Sequence, residues 1–69
     1  SVVARENSSV VARENSSVEA WGNSSVVIPY SKDIKIINIS DNATVKDLSG
    51  NKSVIYIADD RFEIKKFKN

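Results

Sequence analysis

Asp59 and Asp60 are the one adjacent carboxylate pair in the chain. Paired carboxylates do acid–base work only when they share a site. Neighbours on a strand point to opposite faces, so this pair is expected to be a turn. Asp41, Asn42, Thr44 and Asp47 offer oxygen ligands, but their spacing lacks the D-x-[DN]-x-[DN]-G pattern of a calcium loop. There is no Cys and no His, which excludes disulfides, thiolate or imidazole metal sites, and His general bases. The many Ser residues therefore have no His to activate them, and no Lys at motif spacing. Asn7, Asn15, Asn23, Asn38, Asn42 and Asn51 each open an N-x-[ST] sequon. Three of these follow automatically from a recurring Asn-Ser-Ser. Trp21 and Tyr30 fit either a sugar-stacking pair or a cover over a thin core. No catalytic residue, no cofactor and no metal are expected, and no enzyme.

The elements around these residues must come from a short chain. At 69 residues, 41% hydrophobic, 28% charged and net +1, it is neither a disordered polyelectrolyte nor a membrane protein. Domains this small usually need disulfides, metals, oligomerisation or unusual regularity. Regularity and oligomerisation remain. No apolar run is long enough to span a bilayer, and no signal peptide is expected in this stretch. Arg61, Lys65, Lys66 and Lys68 against Glu63 alone are expected to be a solvated strand face, since so few cations neutralise too few phosphates for nucleic acid. Because Ser1 begins in mid-pattern with no atypical repeat before it, the chain is expected to be the C-terminal fragment of a longer array, or a complete chain associating through its first coil.

Residues 1–8 read SVVARENS, and residues 9–16 repeat them without a change. Residues 17–24 read SVEAWGNS and residues 25–32 read SVVIPYSK. An eight-residue period drifts from two helical turns by about 80°. It suits a strand plus a corner, because eight is even and the side-chain period of a strand is two. Val, Ser and Asn agree with that reading better than with a helix.

The columns sort into faces. Val2, Val10, Val18 and Val26 alternate with Ala4, Ala12, Ala20 and Ile28, all apolar, and are placed inside. Val3, Val11, Glu19 and Val27 are placed outside, because an unpaired buried carboxylate at Glu19 is too costly. Ser1, Ser9, Ser17 and Ser25 share that outer face. Places five to eight form the corner, where Asn, Ser and Gly22 suit turn geometry. One strand cannot bury its own inner face, so two octads are expected to make a flattened coil of about 16 residues. That stacking sets Arg5 beside Trp21 and Arg13 beside Pro29. A three-sided coil of about 24 residues, three octads, is the alternative.

Ala4-Arg5-Glu6-Asn7-Ser8-Ser9-Val10-Val11 and its two successors follow A-x-x-x-S-x-[LV]-x. The run resembles the 16-residue tandem repeats, each a pair of octads, of bacterial ice-nucleation proteins. The resemblance spans about residues 1–30. It implies a β-solenoid ending in a non-repeat cap, with an ice- or water-ordering module as the alternative function. The heads of trimeric bacterial adhesins show a weaker resemblance, and phage tail-fibre solenoids resemble it in architecture.

The second half, residues 33–69, is expected to hold irregular coils and a β-hairpin cap in the same domain as the coils of 1–32, with a compact antiparallel meander as the alternative. Asp33–Ile39 reads as an alternating strand in which Ile34 and Ile36 continue the inner column and Lys35 lies outside. Thr44–Leu48 and Ser53–Ala58 read as strands about a Ser49-Gly50-Asn51 turn. Asp59-Asp60 then leads to a strand at Phe62–Phe67. Tyr56, Phe62, Ile64 and Phe67 are expected to plug the open end of the core, with Lys65, Lys66 and Lys68 discouraging further strand addition. The fold class is thus all-β: a short parallel β-solenoid with a C-terminal β-hairpin cap. The expected function is a structural or interaction module, a stalk or spacer of a bacterial or phage protein outside the cell. Its expected partner is a second copy or another protein, through the face of Ser1, Val3, Ser9, Val11, Ser17, Glu19, Ser25 and Val27. An amyloid-like stack of the near-identical strands is a further alternative.

Overall fold

Each octad makes one strand of three or four residues because only its first four places alternate, and the corner residues then break the run. A computed structural model describes residues 1–30 and 33–68. Among them are seven strands and no helix: β1 Val2–Ala4, β2 Ser9–Val11, β3 Ser17–Ala20, β4 Ser25–Ile28, β5 Lys35–Ile39, β6 Thr44–Asp47 and β7 Val54–Ile57. The protein is all-β.

Strands alternate between two sheets. The first has the order β1-β3-β5 and the second β2-β4-β6-β7. All pairs are parallel except β6 with β7. Val2 pairs with Val18 and Ser9 with Ser25, an offset of 16 residues in both sheets. Like residues therefore lie over like in these columns, save Val3 opposite Glu19.

One core lies between the sheets. Ala4, Val18 and Ala20 of the first sheet meet Val26, Ile28 and Val45 of the second, with Ala12 and Ala43 at the margins, all essentially buried. Val2, Val10, Ile34, Ile36 and Ile39 pack partly buried against them. Every inner-column residue expected from the octads lies in or against this core. Small Val and Ala side chains keep the layer thin.

The slip in phase after the fourth octad has two parts. Ser17 pairs with Lys35, so the step has grown from 16 to 18 residues. A register shift after Val18 then sets Glu19 opposite Asn38, and Ile37 is the extra residue, bulged out and exposed. Ile36 accordingly takes the column of Val18 and Ile39 that of Ala20. Ile34 falls just before β5, not within it as the alternation implied. The expected boundary at Lys32 lies outside the described residues.

The expected last strand is corrected. Phe62–Lys68 form no strand. The one antiparallel pair is β6 with β7, across the expected Ser49-Gly50-Asn51 turn, where Thr44 opposes Ile57 and Asp47 opposes Val54. β7 extends only the second sheet, so past β5 no facing wall exists for the tail to pack against.

Candidate interaction surface

The corners decide what the outer faces look like, and they come in two forms. Glu6, Gly22 and Asp41 all have positive φ, at 57°, 67° and 60°. They stack: the Asn23 amide donates to the Glu6 carbonyl at 2.8 Å, and the Asn42 amide to the Gly22 carbonyl at 3.0 Å. In the second octad, identical in sequence to the first, the left-handed residue is instead Asn15, one place later. The same eight residues thus make two corners, according to which sheet they leave.

Hydroxyls fasten the first corner. Ser8 Oγ donates to the Arg5 carbonyl at 2.7 Å, and Ser24 Oγ to the Trp21 carbonyl at 2.7 Å. Ser24 is buried, and its hydroxyl also lies 3.3 Å from the Ala4 carbonyl. The equivalent place one layer on is Ala43, fully buried. The eighth place of this corner therefore turns inward, which the octad reading missed. The signal was available: Ser40-Asp41-Asn42-Ala43 parallels Trp21-Gly22-Asn23-Ser24 with an apolar residue in the Ser place.

Side chains on the corner's outside also align. Arg5 lies over the Trp21 ring at 6.0 Å, as the stacking implied. Asn42 Nδ2 donates to Asn23 Oδ1 at 3.3 Å, and Arg61 Nη2 to Asn42 Oδ1 at 3.4 Å. The Trp21 indole N–H is buried without an acceptor. Asp41 Oδ2 accepts the Gly22 amide at 3.2 Å, so this carboxylate serves the corner.

The outer face of the second sheet stacks Ser9, Ser25 and Thr44 in one column and Val11, Val27 and Lys46 in the next. The Ser9 and Ser25 hydroxyls lie 3.5 Å apart. The first sheet carries Val3, Glu19 and Asn38 outside, with Ser17 against Lys35. Val3 and Val11 are about half exposed, at 47% and 51%. Ser1 is exposed just before β1. Seven of the eight residues of the expected face thus divide between two sheets: Val3, Ser17 and Glu19 on one, Ser9, Val11, Ser25 and Val27 on the other.

The expected cap residues do not close the core. Tyr56 lies in β7 and is 42% exposed, while Ile64 and Phe67 are 69% and 89% exposed. Phe62 is also exposed. The core end is filled instead by Ala43 and Val45, with Ile36 and Ile39 beside them. Among the described residues no cluster of three or more acidic side chains, His or Cys is placed to hold a metal ion. Among the described residues no helix is long and apolar enough to cross a membrane.

Comparison with family models, with curated proteins and with solved structures found no match.

Proposed function

We propose that the chain is a segment of parallel β-solenoid with about 16 residues per coil, capped by the β6–β7 pair, and that it serves as a stalk, spacer or interaction module without enzymatic activity. The observation that carries this reading is the shared 16-residue offset of Val2 with Val18 and Ser9 with Ser25. Two consecutive octads make one turn, and the next two lie on it in register. In such an array stability is a sum over neighbouring coils rather than one central core, so a short chain can be ordered. The octad resemblance favours a bacterial or phage surface protein as its setting. Its outer faces and sheet edges are what it offers a partner, and self-association is the proposed use.

Insertion tests this. Two octads inserted between Ser16 and Ser17 keep Trp21 and Gly22 in the corner column of Glu6. Retained β-type circular dichroism with an equal or higher melting temperature is expected. A single inserted octad moves Trp21-Gly22 to the other corner and is expected to lower the melting temperature. Equal effects of the two insertions would contradict the solenoid.

A further inference from the structure

β7 reads Val54-Ile55-Tyr56-Ile57 and is apolar on both faces. Strands of that kind belong in the interior of a sheet. Yet β7 ends its sheet, and Val54, Ile55 and Tyr56 are 45%, 59% and 42% exposed. Its backbone polarity follows from β6. The Thr44 amide donates to Ser24 and the Leu48 amide to Ile28, so the even-numbered groups of β6 face β4. Val45 and Asp47 therefore face β7, opposite Tyr56 and Val54. That leaves the N–H and C=O of Ser53, Ile55 and Ile57 aimed at the free edge.

We infer that this edge pairs with β7 of a second copy of the chain, antiparallel and across a two-fold axis. The inference deepens the self-association in the proposed function and rests on that reading. An antiparallel edge is complementary to itself under a two-fold rotation. The flanking charges agree: Lys52 precedes β7 and Asp59-Asp60 follow it, so antiparallel pairing sets each Lys52 beside the other copy's acidic end. Parallel pairing would set like charge by like. The chain's own tail is directed elsewhere. The Arg61 amide closes a turn on the Ala58 carbonyl at 3.3 Å, and its guanidinium reaches Asn42 on the β5–β6 corner. Residues 62–68 form no strand against the free edge of β7.

Sedimentation equilibrium on the synthetic full chain reads the outcome directly. The parent is expected to pass from 7.6 kDa to twice that mass as concentration rises to about millimolar. A chain N-methylated at Ile55 loses one edge donor and keeps every side chain. It is expected to stay monomeric with unchanged circular dichroism, while Val11→Lys dimerises like the parent. A parent that stays monomeric, or an N-methylated chain that still dimerises, overturns the inference. Loss of the dimer in Val11→Lys alone would move association to the outer face, overturning the β7 edge while leaving the proposed function standing. Absence of β structure in the parent would instead defeat that proposed function.

Discussion

Gly22 lies directly on Glu6. A Cβ added at Gly22 would stand 3.0 Å from the Glu6 nitrogen, 3.1 Å from its Cα and 3.3 Å from its carbonyl oxygen. Both residues hold left-handed backbone, which costs Gly nothing and an L-residue about 1–2 kcal/mol. Glu6 bears that cost with open space on its outer side; Gly22, in the middle layer, has backbone against it. Gly22→Ala is therefore expected to destabilise the fold by about 1–3 kcal/mol. In a chain of this size each kcal/mol lowers the melting temperature by about 4–8 °C, which thermal circular dichroism resolves. An unchanged melting temperature would mean that the corners do not stack.

Ser24 and Ala43 hold equivalent places in successive layers, one with a hydroxyl and one without. Ser24→Ala should lose the bond to the Trp21 carbonyl at a net cost of about 0.5–1.5 kcal/mol, since the place itself accepts Ala. Ser24→Val is expected to cost more, by overpacking a buried corner. Urea melts of the two variants give the order.

Ile28 and Ile64 separate the core from the tail. Ile28 is 1% exposed, and Ile28→Ala is expected to cost about 2–5 kcal/mol, enough to unfold a marginal chain at room temperature. Ile64→Ala is expected to change stability by less than about 0.5 kcal/mol, because 69% of the residue is already in water. A large loss at Ile64 would restore the tail to the role of a plug.

Arg5 and Trp21 couple neighbouring layers through the ring face. At 6.0 Å and with the guanidinium exposed, Arg5→Ala should cost no more than about 1 kcal/mol. Trp21→Phe removes an indole N–H that has no acceptor and should be close to neutral. Trp21→Ala, by contrast, uncovers the corner and is expected to cost more than either. Denaturant midpoints for the three variants check the order.

The octads made the first two layers legible because they specify one parity. Glu19 among the outer Val residues marks which face is wet, and the structure places Val18 and Ala20 inside accordingly. From Asp33 onward that logic fails. Ile34, Ile36, Ile37 and Ile39 are apolar at both parities, so alternation cannot choose between Ile34 with Ile36 and Ile36 with Ile39 as the inward pair. Backbone pairing seats Ile36 and Ile39 in the columns of Val18 and Ala20 and bulges Ile37 outward, while Ile34 packs partly buried just before the strand. The cap was misread for a related reason. Large apolar side chains at Phe62, Ile64 and Phe67 suggest burial, but burial needs two walls, and the sheets end with three strands against four. The apolar run of β7 was legible as a strand; its free edge was not, because the sequence does not say which strand is last.

The central claim is that two octads make one turn of the chain, and one hydrogen bond tests it. The Trp21 amide donates to the Ala4 carbonyl at 2.8 Å. Trp21 is the only Trp, so a synthetic chain with nitrogen-15 at Trp21 and carbonyl carbon-13 at Ala4 alone isolates that pair. A through-hydrogen-bond coupling between the two labels is the predicted result. Its absence at Ala4, with a coupling on moving the carbon label to Ala12, would contradict the 16-residue turn.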